Sequence, residues 1–282
     1  MSLIVFEHIN DVRGWVISQR EQGLTIGFVP TMGALHAGHG SLADLALKQC
    51  DRVIASIFVN PTQFNNPDDL VKYPRTPEAD LELLEVAGCH AVFCPAIAEM
   101  YSVDEPLQQW DFGALSNTLE GYYRPGHFDG VLTIVKKLFM AVAPDKAFFG
   151  EKDFQQLAII RKMTNAEGLP IEIIAVPTVR EPSGLAMSSR NVRLSQDERI
   201  CALAISRALF AASAMGRTVS PEILQARATS DLMRVDGMKL EYCALVKASD
   251  FSTVADWPDD TCVLLVAAYV GGVRLIDNVI IV

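Results

Sequence analysis

Residues 27–41 read G-F-V-P-T-M-G-A-L-H-A-G-H-G-S, and this stretch decides the fold. An apolar run over residues 24–29 ends at Pro30, and a turn carrying Gly33 and Gly38 follows. His36 and His39 then stand three residues apart, where a helical pattern over residues 39–50 begins. A strand, a glycine turn and a helix start in that order predict a phosphate site. A helix N-terminus leaves N–H groups unpaired at the positive end of a dipole. Glycine lets the backbone approach a bulky anion. Two imidazoles there can hydrogen-bond or charge-stabilise the phosphates.

Working outward, the first two-thirds of the chain alternates strand-like and helix-like patterns. Strands are predicted at residues 24–29, 52–59, 91–94, 146–149 and 171–176, with helices at 39–50, 77–87, 128–142 and 153–167. Short apolar strands between helices predict an α/β fold, a Rossmann-like parallel sheet with helices on both faces. Ligands of such sheets bind at the carboxyl ends of the strands. After about residue 178 the pattern changes. A capping box at Ser195 and Glu198 opens a long helix, Ser220-Pro221 opens another, and strand-like runs follow at 239–247, 262–269 and 273–281. This predicts a division into residues 1–178 and a smaller C-terminal α+β lid domain over residues 179–282.

Composition narrows the function. The 282 residues are 50% hydrophobic, enough for a sizeable core, and the net charge of −10 argues against a nucleic-acid surface. The six cysteines are scattered without metal-ligand spacing and read as apolar structural residues. The N-terminus shows no signal-peptide pattern, and the most apolar stretch, residues 261–269, is too short to span a bilayer. A cytoplasmic protein without membrane or nucleic-acid partners is the expectation.

Four further loops carry chemistry. F-V-N-P-T-Q-F (58–64) puts the amides of Asn60 and Gln63 at a strand end, suited to a small ligand with hydroxyl and carboxylate groups. E-G-Y-Y-R-P-G-H-F-D-G (120–130) combines Arg124 with His127. F-F-G-E-K-D-F-Q-Q-L (148–157) ends a strand at Gly150, with Asp153 placed to cap the next helix. Lys152 there opposes the helix dipole, a conflict a phosphate would offset. Of Gln155 and Gln156, at most one faces the cleft. V-R-E-P-S-G-L-A-M-S-S-R-N (179–191) presents Ser188, Ser189 and Arg190 beside flexible Gly184, the chemistry of a mobile phosphate clamp.

P-T-M-G-A-L-H-A-G-H resembles the H-x-G-H signature of the nucleotidylyl transferase superfamily, and M-S-S-R-N resembles its mobile phosphate motif. With the amide loop, Y-P-R-T (73–76), Y-Y-R-P-G-H-F-D-G and F-G-E-K-D-x-Q-Q, the set resembles the pantothenate synthetase family over residues 27–194. The resemblance implies an ATP-dependent ligation of (R)-pantoate to β-alanine through a pantoyl adenylate, with Mg2+ as the charge partner of ATP, and a homodimer. It implies ATP contacts at Met32, Gly33, Ala34, Leu35, His36, Ala37, Gly38 and His39. Gly150, Glu151, Lys152 and Asp153 follow, then Val179, Met187, Ser188, Ser189 and Arg190. His36, His39, Lys152, Ser188, Ser189 and Arg190 would act in catalysis, His39 matching the family's proton donor. Gln63 and Gln156 would bind pantoate, and Gln63 also lies near β-alanine. Two departures stand out: Ala37 replaces the usual acidic residue between the histidines, and Gly40 replaces a larger apolar one. The family often has adjacent aspartates near Asp80. Here Ala79 precedes it, so no protein ligand of the metal is assigned.

Overall fold

The computed structural model describes residues 2–102 and 105–282. In chain order the first part comprises β1 (Ile4–Phe6), α1 (Ile9–Arg20), β2 (Ile26–Thr31), α2 (Ala37–Gln49), β3 (Arg52–Ile57), α3 (Pro67–Lys72), α4 (Pro77–Val86) and β4 (Ala91–Phe93). Three one-turn helices follow, α5 (Ile97–Met100), α6 (Ala114–Asn117) and α7 (Glu120–Tyr123). Next come α8 (His127–Val142), β5 (Lys146–Gly150), α9 (Phe154–Ala166) and β6 (Glu172–Val176). The remainder is α10 (Gln196–Met215), α11 (Pro221–Met233), β7 (Met238–Lys247), β8 (Cys262–Val270) and β9 (Val273–Ile281).

The six strands β1–β6 form one parallel sheet in the order β1-β4-β3-β2-β5-β6. Alternate residues of each strand feed opposite faces. Ile26, Phe28, Ile54, Ala147 and Phe149 pack with α1, α8 and α9, whereas Val29, Val53, Ala55 and Phe148 pack with α2 and α4. Succession along the sheet runs one way from β2 to β4 and the other way from β5 to β6. The switch point therefore lies between β2 and β5, and the two phosphate-type loops leave the sheet there.

Two departures from the sequence reading lie in the first sheet and its flanking helix. Pro30 does not end β2, which runs on to Thr31. Pairing with β5 stops at Phe28, so the N–H missing from Pro30 removes nothing from that ladder. Strand β1 and helix α1 are also present, with only Val12 and Val16 of α1 buried, too sparse an apolar stripe to announce a helix.

The second sheet is antiparallel, with β8 between β7 and β9. Residues 261–269, the most apolar stretch, belong largely to this central strand, and its apolar run from Cys262 to Ala268 reflects that both its faces are covered. Val263, Leu265 and Ala267 join the core of the first sheet, while Cys262, Leu264, Val266, Ala268 and Val270 pack with α10 and α11. Ser195 and Glu198 form the expected capping box of α10, and Ser220 caps α11. One helical stretch among the described residues, 196–218, is long and apolar enough to cross a membrane, and its Ala202, Ile205 and Leu209 pack on this sheet. All six cysteines are free thiols.

Helix α8 meets the loop after β3 at Gly130. A Cβ there would collide with the carbonyl oxygen of Thr62 and lie 2.8 Å from the nitrogen of Gln63. Gly130→Ala is expected to cost about 1–3 kcal/mol, the scale of overpacking a close contact. Urea unfolding checks this: the midpoint should fall with the slope unchanged.

Candidate active site

The turn after β2 is held by a buried carboxylate. Gly33 (φ 75°) and Ala34 (φ 48°) are consecutive left-handed residues, and Ala34 carries a side chain in a region that disfavours one. Asp80, on the first turn of α4 and 2% exposed, accepts from the N–H of Ala34 (2.8 Å) and of Leu35 (2.7 Å), and Thr76 donates to it at 3.0 Å. A Cβ at Gly33 would approach its Oδ2 to 2.8 Å, so only glycine fits.

This turn delivers His36 to the N-cap of α2, which begins at Ala37 rather than at His39. The two histidines form a reciprocal cap. His36 Nδ1 accepts from the N–H of Gly38 (3.1 Å), and His39 Nδ1 accepts from the N–H of His36 (3.3 Å). Nitrogens that accept carry no proton, so each neutral ring bears its hydrogen on Nε2. Burial, followed by the charge of Lys152, lowers the His36 pKa to about 4. Burial, His36 and Lys152 hold His39 well below its ordinary value. With ring centroids 4.1 Å apart, the pair is therefore two neutral N–H donors near neutral pH, and the positive charge beside them is that of Lys152.

Lys152 sits in the tight turn Glu151–Asp153 after β5, its Nζ 3.3 Å from Asp153 Oδ2. The expected cap by Asp153 does not form. Its side chain makes no cap hydrogen bond, because the intervening turn draws the carboxylate towards Lys152. Gln155 and Gln156 divide as the helical spacing requires. Gln155 is buried against backbone, donating to the carbonyls of Leu115 and Thr118 and accepting from the N–H of Glu120, while Gln156 lines the cavity.

After β3, Gln63 extends its amide beside Met32, with Nε2 2.7 Å from Sδ, and its Oε1 accepts from Asn60. From the other side Ser189 Oγ donates to the carbonyl of Ala34 (2.9 Å), fastening its loop to the first turn. Arg190, expected to face a phosphate, donates to Asp69 Oδ2 at 2.8 Å and lies over the ring of Tyr73 at 5.4 Å. Burial opposes ionisation of Asp69, but Arg190 and Arg193 hold its carboxyl below the usual range. Arg124 and His127 are engaged by protein partners, Glu120 and the carbonyl of Gln63, and Arg124 also lines a cleft beside the cavity.

These groups surround a cavity of about 210 Å³. Met32, His36, Gly38, His39, Gln63 and Gln156 line it, as do Gly150, Lys152, Asp153, Val179 and residues 187–190. A neighbouring cleft of about 450 Å³ shares Lys152, Asp153, Ser188 and Arg190. Gly33, Ala34, Leu35, Ala37 and Glu151 do not line the cavity. The first three shape its turn, and Ala37 points to solvent. Asp69 escaped the sequence reading, and Asp80 entered it only in connection with a metal ligand and not as the holder of the turn, since an isolated aspartate carries no local signal of its distant partner.

The profile of the pantoate-beta-alanine ligase family matches residues 4–280. The chain belongs to this family. It is 47% identical over 276 residues to the pantothenate synthetase of Porphyromonas gingivalis W83, covering 98% of each chain. It is 46% identical over 281 residues to that of Chelativorans sp. BNC1, covering 99% of this chain and 98% of the relative. The crystal structure of pantothenate synthetase from Thermus thermophilus superposes with a TM-score of 0.92 at 38% identity, over 98% of this chain and 99% of that one. The pantoate-beta-alanine ligase of Francisella tularensis, solved with beta-gamma ATP and beta-alanine, superposes with a TM-score of 0.80 at 37% identity, over 98% and 97%. The parallel sheet and the smaller antiparallel sheet are thus the architecture of the pantoate-beta-alanine ligase family.

Asparagine is a good N-cap, so His36→Asn separates capping from chemistry. The melting temperature should hold, while turnover should fall about 100-fold, the scale of a lost electrostatic donor. Folded His36 stays neutral down to about pH 4, whereas the unfolded chain takes up that proton near pH 6.5. The unfolded state thus binds more protons in this window, and stability falls as pH drops through it. The same variant should flatten that fall, as read from urea midpoints between pH 6.5 and 4.

Proposed function

We infer that the chain condenses (R)-pantoate with β-alanine at the expense of ATP, yielding pantothenate, AMP and diphosphate, a step towards vitamin B5 and coenzyme A. The observation that carries this reading is the meeting of the Gln63 and Gln156 amides with His36, His39 and Lys152 in one cavity, in a chain matched nearly end to end by the ligase family. A histidine pair and a lysine alone would suit any adenylate chemistry. Two amides add recognition of a small polar acid.

We propose that the pantoate carboxylate attacks the α-phosphorus of ATP. The bond from that phosphorus to the bridging oxygen breaks, diphosphate leaves, and a pantoyl adenylate remains. The β-alanine amine then attacks the acyl carbon, loses a proton, and releases AMP. Such steps need positioning and charge stabilisation. His36 and His39 donate through Nε2–H, and any proton passed by His39 leaves from that atom, because Nδ1 is committed to the cap. Lys152 supplies the positive charge, and Ser188, Ser189 and Arg190 close on the nucleotide beside Val179 and Met187. Gln63 and Gln156 hold pantoate, with Gln63 also near β-alanine.

Mg2+ fits as a companion of the phosphates. Among the described residues no group of three or more His, Cys, Asp or Glu is placed to hold a metal ion, and Asp80 spends its oxygens on the turn. When bound, Mg2+ would neutralise phosphate charge. We further propose a cytoplasmic homodimer, with residues 1–178 as the nucleotide- and pantoate-binding domain and residues 179–282 as the lid domain.

An assay that omits pantoate, β-alanine and ATP in turn should give pantothenate only when all three are present. A stable nucleotide adduct as the sole product would overturn the reading. His39→Ala and Lys152→Ala should each reduce pyrophosphate release from pantoate and ATP by about 100-fold or more while staying folded. Gln156→Ala should weaken pantoate more than ATP.

A further inference from the structure

Strand β9 presents Arg274, Ile276 and Asn278 on one face by the alternation of a strand, and this face meets the first part of the chain at two places. At one place, Asn278 Nδ2 donates to the carbonyls of Glu151 and Lys152, both at 2.9 Å. At the other, Arg274 donates to both carboxylate oxygens of Glu120 (2.7 and 2.8 Å), the fork geometry that fixes a guanidinium against a carboxylate. Glu120 is 6% exposed, also accepts from Tyr242 (2.6 Å), and receives Arg124 at 3.3 Å.

The second contact continues to the cavity. Arg124 Nη1 lies 2.9 Å from His127 Nε2. A guanidinium only donates, so Nε2 accepts and the ring carries its proton on Nδ1. That Nδ1 lies 2.9 Å from the backbone carbonyl of Gln63 and donates to it. Burial and Arg124 lower the His127 pKa to about 3, consistent with this neutral form. An unbroken series of hydrogen bonds therefore joins β9 to the residue whose amide enters the cavity. Neither end stops at an arbitrary point of the fold: one series ends on Gln63, the other on Lys152.

We propose that β9 is a two-ended positioning element: Arg274, through Glu120, Arg124 and His127, sets the acyl-substrate loop at Gln63, and Asn278 sets the nucleotide loop at Lys152. Arg274, Glu120, Arg124, His127 and Asn278 are positioning residues that act through these two backbones. The proposal rests on the assignment of Gln63 to pantoate and of Lys152 to ATP.

The test is a double dissociation of KM values in the full-length chain, measured by pyrophosphate release with melting temperatures alongside. Arg274→Met should raise KM for pantoate about tenfold, the equivalent of one net hydrogen bond, and KM for ATP less than about twofold. Asn278→Leu should do the reverse. Arg274→Lys keeps the charge without the fork, and should show a smaller selective rise even if the methionine variant fails to fold. Gln63→Ala and Lys152→Ala report on the assignments themselves. Selective weakening of pantoate by Gln63→Ala, together with Arg274 variants that move both KM values equally or neither, would overturn the proposal alone. An unselective Gln63→Ala would overturn the assignment beneath it as well.

Discussion

The buried carboxylate of Asp80 is the constraint on which the site rests. Its oxygens bind two successive N–H groups in a turn whose second residue, Ala34, is strained at positive φ. Without that carboxylate two half-buried donors would lose their partner, at a cost of up to about 1–3 kcal/mol for each group left unsatisfied. Everything nearby is measured from this turn. It aims His36 into the N-cap of α2, which orients His39. Ser189 bonds to its Ala34 carbonyl, so the clamp from the far side of the cleft is registered to the same few atoms.

The electrostatics divide into fixed donors and contested cations. The histidines are donors whose tautomers are set by the backbone, so little reorganisation is needed when negative charge arrives. The guanidinium of Arg190 is different, because Asp69 already holds it. On the proposed reading, an incoming phosphate competes with a carboxylate for that cation. Within an acidic chain, the cations Arg190 and Arg193 of this cleft are thus paired with Asp69.

Periodicity made the parallel sheet legible, and the second sheet too, since buried strands and amphipathic helices write their environment into neighbouring residues. The capping box of α10 was readable because Ser195 and Glu198 are close in sequence. The histidine cap of α2 was not, because imidazoles rarely stand where hydroxyls or carboxylates usually do. Asp153 misled for a related reason: a cap residue was present, but a tight turn and Lys152 claimed its carboxylate. Asp80, Asp69 and the partners of Arg124 depend on contacts between distant segments, and no local pattern encodes these. The family resemblance located the cavity-lining residues, while the turn residues it also named support the wall from behind.

Strand β8 carries a consequence of its own. Its odd-numbered residues 263, 265 and 267 complete the core beneath the parallel sheet, and its even-numbered ones the core beneath α10 and α11. Two lobes that share a strand in this way have no separate melting equilibrium. Disrupting either core exposes one face of β8 and removes the support of the other, so the chain has the makings of a single cooperative unit despite its two sheets. Its calorimetric trace would then be one peak, and damage far out on α11 would be felt as a loss of the whole molecule rather than of one lobe.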